Sequence, residues 1–254
     1  MRAIVLAGGY GTRLHPLTRV CSKQLLPVYD QPMICYPLST LLSMGVPKEK
    51  TAIIVRPDCM ALFKGLFGGA YTMLDQSQPR GLADALNVAG EWLAGEACLM
   101  ILGDNLFTDP AGIQDALEWA MVKADTNDHC VIFTAILKDF GKYGCICMGN
   151  DGRMDLKEKP DKTFGGGSPA VVTGLYHFPN DAPEKVKELK PSRRGELEII
   201  DLITMYSAER RLIAVPLPSG CSWYDMGDFN ELMDAAQTIK AMRLRHDSKL
   251  GMVL

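Results

Sequence analysis

Residues 2–27 read RAIVLAGGYGTRLHPLTRVCSKQLLP and combine the first predicted strand with a glycine-rich loop. The run from Arg2 to Leu6 is mostly apolar with β-branched members, which predicts a short buried strand. Three glycines follow, which permit a tight turn and let backbone N–H groups approach a ligand: Gly8, Gly9 and Gly11. Two cations, Arg13 and Lys23, come next. A strand, a glycine loop and two cations together predict a phosphate-binding site.

This loop matches neither of the two common phosphate-binding fingerprints. A Walker loop requires G-x-x-x-x-G-K-[ST], and no Lys-Ser or Lys-Thr pair follows these glycines at that spacing. A dinucleotide fingerprint requires G-x-G-x-x-G, and Leu14 stands where its third glycine should be. A tight turn without a ligand is therefore an alternative. The two cations, in a segment stiffened by Pro16 and Pro27, favour a binding function.

The composition is that of an ordinary soluble globular protein. The 254 residues include 27 Lys and Arg against 30 Asp and Glu, so we expect no nucleic-acid or membrane partner. No apolar run reaches membrane-spanning length, and the N-terminus lacks the cleavage signature of a signal peptide. The eight cysteines lack zinc-site spacing, which favours reduced, mostly buried thiols. We therefore expect a cytoplasmic protein.

Strand and helix patterns alternate up to residue 136. Apolar runs predict strands over 2–6, 51–55, 71–74, 97–102 and 130–136, and helical periodicity predicts helices over 33–44, 59–67, 82–94 and 113–124. Later strands are expected over 143–148, 154–158, 170–178 and 212–215, and later helices over 183–189, 198–208 and 229–245. This pattern indicates an α/β fold with an open, Rossmann-like, mostly parallel but mixed sheet flanked by helices.

Two segments resemble the signature of the sugar-1-phosphate nucleotidylyltransferase family: LAGGYGTRLHPLT at residues 6–18 and SKQLLPVYDQPMI at residues 22–34. The branch that they resemble most is the glucose-1-phosphate thymidylyltransferases. The resemblance implies transfer of a thymidylyl group from dTTP to glucose-1-phosphate, which gives dTDP-glucose and pyrophosphate. It also implies Mg²⁺ as cofactor and a homo-oligomer, either a dimer or a tetramer.

Further matches to the family continue to about residue 230, so we expect one nucleotidyltransferase domain over residues 1–254. The resemblance implies a nucleotide-binding half over residues 1–136. A smaller, β-rich half over residues 137–254 would bind the sugar phosphate and end in the C-terminal helix.

Two carboxylates stand beyond the ends of strands, where open parallel sheets bind ligands. Asp104 closes the strand ACLMILGD, and Asp225 follows a short aromatic stretch. An aspartate at a strand end can equally cap a helix, although Asp109, just before a proline, is the better cap candidate. The segments GDN at 103–105 and WYDMG at 223–227 match the family's metal-binding motifs. The resemblance therefore implies that Asp104 and Asp225 bind Mg²⁺.

The implied reaction is attack of a sugar-1-phosphate oxygen on the α-phosphate of a nucleoside triphosphate. The second pKa of a phosphate monoester is about 6, so at pH 7 the nucleophile is largely a dianion and needs no general base. The protein has to align two anions and neutralise charge in the transition state. By resemblance, Arg13 holds the triphosphate, Lys23 reaches the α-phosphate, and both act with Asp104 and Asp225 as catalytic residues. Further nucleotide contacts are assigned to Leu6, Gly8, Gly9, Gly11, Thr12 and Gln24.

Base recognition is expected from residues 76–83, QSQPRGLA, which resemble the family's Q-x-x-P-x-G-L-A. A glutamine amide offers an acceptor and two donors, which suit the edge of thymine or uracil, so Gln76 is assigned to the base. Gly81 would let the backbone approach the same edge. Arg80 is assigned no role.

The sugar phosphate is expected at the matches to E-K-P, Y-G and R-G-E-L-E. In these motifs Glu158 accepts hydrogen bonds from sugar hydroxyls, while Lys159 and Arg194 reach the phosphate. Isolated, such charges are usually solvated surface groups, so the assignment depends on the whole cluster. The remaining sugar contacts are assigned to Tyr143, Gly144 and Val172.

Three other functions remain open from the sequence. The same chemistry could use UTP, because the thymine methyl group is worth only ~1–3 kcal/mol of discrimination. A glycosyltransferase typically carries a D-x-D metal motif, whereas this chain has Gly-Asp-Asn after the strand over 97–102. A catalytically silent sugar-nucleotide-binding regulatory protein is the third, although Lys23, Asp104 and Asp225 are all present.

Overall fold

A computed structural model describes residues 1–78, 80–124, 128–149 and 152–245. Across these ranges the strands are β1 (Arg2–Ala7), β2 (Pro27–Val28), β3 (Gln31–Pro32), β4 (Thr51–Val55), β5 (Thr72–Asp75), β6 (Cys98–Leu102), β7 (Asn105–Phe107), β8 (Cys130–Ala135), β9 (Gly144–Met148), β10 (Met154–Glu158), β11 (Ala170–Phe178), β12 (Leu212–Pro216) and β13 (Trp223–Asp225). The helices are α1 (Cys35–Ser43), α2 (Met60–Phe67), α3 (Asp84–Val88), α4 (Gly90–Leu93), α5 (Pro110–Ala124), α6 (Ala182–Glu188), α7 (Ile199–Ala208) and α8 (Phe229–Leu244).

The structure confirms the predicted α/β class and every predicted strand, with small shifts at the ends. One helix prediction is wrong in detail, because the helix expected over 82–94 is two short helices, α3 and α4. The break lies at Ala89, whose ψ of −6° departs from helical geometry just before Gly90. Leu86 and Leu93, on either side of the break, are both buried. The helical spacing of buried apolar residues continues across the break, so periodicity alone could not detect the break.

The chain divides into two compact units, and the first comprises Met1–Pro79, Met100–Asp115 and Pro218–Leu254. Here the strands lie in the order β6, β1, β4, β5. β1 runs parallel to β4, and β4 runs parallel to β5. Almost every residue of β1 and β4 is buried, as expected for parallel strands covered on both faces. Helix α1 packs on β1, and α2 packs on β5.

A separate antiparallel ladder in the first unit joins β13 to β7, with Asp225 opposite Asn105. The sequence did not predict these strands, because three residues are too few to show a period. Helix α8 begins after Asp228, whose carboxylate accepts a hydrogen bond from the Glu231 backbone N–H. It packs on β13 and β2 and buries Ala235 and Ile239. The helix thereby supports the strand that carries Asp225.

The second unit comprises Arg80–Leu99 and Ala116–Leu217. Its strands lie in the order β10, β9, β11, β8, β12, and all these neighbours are antiparallel except β8 and β12, which are parallel. Helix α3 packs against α6, and α7 packs against β10 and β12. The later segments of this unit are strands, as the sequence predicted, and most of their pairings are antiparallel, which the sequence did not predict.

The two units are interleaved in the sequence, so their boundaries do not coincide with the expected division at residue 136. The reason is the ladder of β7 and β13, which draws the last part of the chain into the first unit. Whether residues 1–254 act as a single domain stays a prediction. All eight cysteines are free thiols, most of them buried. Among the described residues, no helix has the length and apolar character needed to cross a membrane.

Candidate active site

The glycine loop at the end of β1 closes around the side chain of Lys23. Gly11 has a φ of +65°, and a Cβ there would lie 2.9 Å from Lys23 Cβ and 3.0 Å from Thr18 Cγ2. A Cβ on Gly9 would lie 3.7 Å from Lys23 Nζ. The Thr18 hydroxyl donates to the Gly11 carbonyl oxygen at 2.7 Å and holds the turn. Position 11 therefore requires glycine for two reasons: its backbone is left-handed, and a side chain there would collide with Lys23.

Lys23 forms a short ion pair with Asp104, which stands at the end of β6. The two side chains are only 15% and 9% exposed, so water screens their attraction weakly. Burial raises the pKa of the Asp104 carboxyl, but the Lys23 ammonium and a hydrogen bond from Asn105 outweigh it, and the pKa lies below its ordinary value. Asp104 is therefore an anion at neutral pH.

A second set of contacts orients the Asp104 carboxylate. Asn105 Nδ2 donates to Asp104 Oδ1 at 3.2 Å, and Trp223 Nε1 donates to Asn105 Oδ1 at 2.6 Å. Sequence reasoning assigned no role to Asn105 or Trp223. Both lie inside the matched GDN and WYDMG segments, so the signal was present in the motifs. Together they fix one oxygen of Asp104 while Lys23 takes the other.

The β7–β13 ladder brings Asp225 beside Asp104, since the backbone N–H of Met226 donates to the Asp104 carbonyl oxygen at 2.9 Å. Arg13 Nη2 lies 3.9 Å from Asp225 Oδ2, with the arginine side chain 54% exposed and the aspartate 16%. A Cβ on Gly227 would lie 2.5 Å from Arg13 Nη2, so the glycine of WYDMG makes room for this guanidinium. Each predicted metal ligand therefore has a predicted phosphate-binding cation as its partner.

The oxygens of Asp104 and Asp225 suit a hard divalent cation. Among the described residues, no group of three or more Cys, His, Asp or Glu is placed to hold a metal. Mg²⁺ does not require such a group, because it commonly takes one or two carboxylates and completes its shell with water and phosphate oxygens. The donor set therefore fits Mg²⁺ bound together with a phosphate substrate.

The remaining nucleotide residues of the first unit join the same group. A Cβ on Gly8 would lie 2.8 Å from Gln76 Oε1, so the buried Gln76 amide is packed on the glycine loop. The Leu6 carbonyl oxygen accepts from the Gly103 N–H at 2.9 Å, which ties β1 to the segment before Asp104. Gln24 is buried and accepts from the Ser22 hydroxyl at 2.6 Å. Thr12 begins the short 3₁₀ helix Thr12–Leu14, directly after the loop.

In the second unit, the predicted sugar-phosphate residues cluster around Arg194. Its Nη2 lies 3.4 Å from Glu158, 3.4 Å from Glu196 and 2.8 Å from Glu198, and the arginine side chain is 43% exposed. Lys159 Nζ is 3.7 Å from Glu158. Burial raises the pKa of Glu158, and Glu198 and Glu196 add to that rise, whereas Lys159 and Arg194 oppose it.

Tyr143 and Gly144 belong to the same group. The Tyr143 carbonyl oxygen accepts from the Lys159 N–H at 2.9 Å, and Gly144 stands opposite Glu158 in the ladder of β9 and β10. A Cβ on Gly144 would lie 2.4 Å from Ile200 Cδ1, so any larger residue would force the Ile200 side chain of α7 to move. Val172 is buried in β11, opposite Thr134 of β8.

Gly81 has a structural reason to be glycine in addition to its expected role at the base. Its φ is +107°, and a Cβ would lie 2.4 Å from the Leu197 carbonyl oxygen. Backbone hydrogen bonds from Leu197 to Arg80 and from Ala83 to Leu197 hold this close approach, at 2.6 and 3.2 Å. The Arg80 side chain pairs with Asp84 at 3.0 Å.

The family profile described as nucleotidyl transferase matches residues 2–242. The chain belongs to the nucleotidyl transferase family. Curated members similar to it are named glucose-1-phosphate thymidylyltransferase. The Neisseria meningitidis protein is 38% identical over 96% of this chain and 84% of its own, and the Mycobacterium tuberculosis protein is 36% identical over 99% and 86%.

Solved structures of nucleotidyl transferases share the fold. A Bacillus anthracis protein assigned as a glucose-1-phosphate thymidylyltransferase, in complex with sucrose, is 29% identical, with a TM-score of 0.81 and 94% of each chain covered. A UDP-glucose pyrophosphorylase complexed with UDP-glucose reaches a TM-score of 0.82 at 22% identity, covering 95% of this chain and 99% of its own. The second similarity concerns the fold alone.

Proposed function

We propose that this nucleotidyl transferase moves a thymidylyl group from dTTP to glucose-1-phosphate and releases dTDP-glucose and pyrophosphate. The observation that carries the proposal is the pairing of Lys23 with Asp104 and of Arg13 with Asp225 beside a glycine loop. The names of relatives that cover almost the whole chain support the choice of substrates.

The chemistry assigned to the protein is alignment and charge neutralisation. The sugar phosphate attacks as a dianion, so no side chain has to remove a proton. Lys23 neutralises the α-phosphate, Arg13 holds the triphosphate, and backbone N–H groups of the glycine loop bind the phosphate oxygens. Before substrates bind, Asp104 and Asp225 compensate the two cations, so the site carries no unpaired buried charge.

Asp104 and Asp225 would hold Mg²⁺. When bound, the metal ion neutralises phosphate charge and favours the geometry of in-line attack. Asn105 and Trp223 contribute by keeping the Asp104 carboxylate in one orientation.

The sugar phosphate is assigned to the cluster around Arg194. Arg194 and Lys159 attract the phosphate, while Glu158 accepts hydrogen bonds from sugar hydroxyls. The backbone at Tyr143 and Gly144, and the strand that carries Val172, line the sugar.

The base is assigned to Gln76 and to the backbone at Gly81. The amide of Gln76 can donate to and accept from the polar edge that thymine and uracil share. UTP is therefore the alternative nucleotide, and we expect it to be used equally or less well, since the methyl group is worth ~1–3 kcal/mol at most.

We also propose that the enzyme is a cytoplasmic homo-oligomer, a dimer or a tetramer, in which residues 1–254 act as one domain. The family resemblance supports these assignments. Light scattering of the purified protein measures the oligomer, cell fractionation tests the compartment, and a single cooperative unfolding transition in urea is expected of one domain.

The deciding experiment measures pyrophosphate release with Mg²⁺ and glucose-1-phosphate, with dTTP, UTP, ATP, CTP and GTP compared in parallel. We expect turnover with dTTP and equal or weaker turnover with UTP. Release of nucleoside diphosphate in place of pyrophosphate would identify a glycosyltransferase. Tight binding of sugar nucleotides with no turnover, after a panel of sugar phosphates, would identify a silent regulatory protein.

A further inference from the structure

One cation of the first unit lies against the glycine loop and has no place in the reaction described above. Arg56 follows β4 directly, and its side chain is 12% exposed. Its Nη1 donates to the Gly9 carbonyl oxygen at 3.0 Å. Its guanidinium also lies over the ring of Tyr10, 4.5 Å from the ring centre. Both contacts are made to the loop that we assign to the triphosphate.

The other donors of Arg56 are held by its own turn. Nε and Nη2 each donate to a different oxygen of Asp58 at 3.0 Å, which is a bidentate pair. Nη2 also donates to Cys59 Sγ at 3.2 Å. With these donors engaged, the guanidinium is aimed at the Gly9 carbonyl. Four of its five N–H donors are thus engaged within the protein, and its contact with the glycine backbone is the bond to the Gly9 carbonyl oxygen.

The bond to Gly9 fixes the direction of one loop amide. In a trans peptide, the carbonyl of one residue and the N–H of the next point in opposite directions. Because the Gly9 carbonyl points to Arg56, the N–H of Tyr10 points away from it. A glycine readily rotates its backbone, and this bond opposes rotation of that peptide. Arg56 therefore keeps one N–H of the loop facing a constant direction.

Tyr10 gives the same arginine a second hold on the loop. The residue is 59% exposed, so burial does not explain why its ring lies against the guanidinium. The stacked contact keeps the side chain beside Arg56, one residue beyond the hydrogen-bonded carbonyl. The loop is thus attached to β4 at two consecutive residues.

We propose that Arg56, clamped by Asp58 and stacked on Tyr10, is a positioning residue that presets the glycine loop for the triphosphate. This inference rests on the proposed function, since it concerns how the same loop binds the nucleotide. A preset loop loses less conformational freedom on binding, so the effect is on nucleotide affinity. The chemical step, assigned to Lys23, Arg13 and the two aspartates, is unaffected.

The test compares Arg56→Ala, Arg56→Lys and Tyr10→Leu with Lys64→Ala, an exposed cation of α2, as the matched control. For Arg56→Ala we expect the Kd and KM for dTTP to rise about tenfold, with kcat and the KM for glucose-1-phosphate unchanged. Arg56→Lys should resemble Arg56→Ala, because lysine cannot form the bidentate pair and the loop bond together. Tyr10→Leu should raise the KM for dTTP about threefold, and Lys64→Ala should change nothing.

An unchanged dTTP affinity in a folded Arg56→Ala protein would overturn the inference. So would equal rises in the KM of both substrates with a lower Tm, which indicate general loss of structure. If Arg56→Ala does not fold, Tyr10→Leu decides, because it alters an exposed side chain. Failure of the proposed function would appear separately, as no turnover by the wild type with any nucleotide. Calorimetric titration with dTTP tests the loop independently of turnover.

Discussion

Both units place cations among carboxylates, but the two groups differ in their balance of charge. In the first unit, each of the two carboxylates assigned to the metal has a cation of its own, Lys23 for Asp104 and Arg13 for Asp225. In the second unit, Arg194 is shared by three glutamates. The Lys23–Asp104 pair is nearly excluded from water, whereas Arg194 is substantially exposed.

The difference indicates which ligand each group can accept. The first group is electrically balanced and rich in donors from the glycine loop, so it can take a polyanion together with a metal ion. The second has Arg194 and Lys159 against three glutamates, which leaves carboxylate oxygens available as acceptors. That excess suits a ligand that offers many hydroxyl donors and only one phosphate. The two groups should therefore respond differently to substitution.

The largest effect is expected from Lys23→Met, which leaves the buried Asp104 charge uncompensated. We expect turnover to fall by about 10³-fold or more and the free energy of unfolding to fall by about 3–5 kcal/mol. Pyrophosphate release and urea unfolding measure the two losses. The double variant Lys23→Met/Asp104→Leu should regain most of the stability and none of the activity. Equal stability of the single variant and the wild type would contradict the assigned burial of this pair.

A smaller effect on stability is expected from Asp225→Asn, because Arg13, its partner, is exposed at a separation of 3.9 Å. We expect the free energy of unfolding to change by less than about 1 kcal/mol and turnover to fall about 10²–10³-fold. The control is Asp234→Asn on the exposed face of α8, which should retain full activity. Full activity of Asp225→Asn would remove this residue from the catalytic group.

In the second unit, Arg194→Ala should act on one substrate only. We expect the KM for glucose-1-phosphate to rise about tenfold, the loss of one charge-assisted contact, with the KM for dTTP unchanged. Steady-state kinetics with each substrate varied in turn measures this. Arg193→Ala is a matched control, because Arg193 is the exposed neighbour in the same motif. A rise in the KM for dTTP alone would show that the roles of the two groups are assigned wrongly.

The smallest effect concerns pH. Because burial raises the pKa of Glu158 in the folded state, its charged form is disfavoured there, and its contribution to stability is lost as pH rises through that raised pKa. Glu158→Gln removes this penalty. The Tm of the variant relative to wild type should therefore be more favourable at pH 7 than at pH 4, by thermal unfolding at both values. Parallel pH curves would contradict the raised pKa.

Much of this molecule was accessible from its sequence, because its strands are apolar and its site residues stand in long motifs. The sequence could not predict which charged residues form ion pairs with one another. Lys23 and Asp104 stand far apart in the chain, and only the order of the strands brings them together. The contact between Arg56 and Tyr10 could not be predicted for the same reason, because the two residues are distant in the sequence and share no motif.

Other differences arise where local pattern and tertiary structure diverge. Residues 82–94 keep a helical spacing across the break at Ala89, since packing can preserve an apolar face while the backbone turns. At Gly81 the sequence explained the glycine by the base, whereas the backbone of Leu197 already excludes a side chain. Such steric requirements arise from contacts between segments that are distant in the sequence, so a local sequence pattern cannot reveal them.

The ladder of β7 and β13 has a consequence for folding during synthesis on the ribosome. During synthesis Lys23 and Asp104 leave the ribosome before Asp225, which is translated after strands β1–β12. Until then β7 has no β13 to pair with, and the nascent chain has only one of the two carboxylates assigned to the metal. The nascent chain therefore completes the pair of carboxylates assigned to the metal only after the strands of the main sheet have been translated.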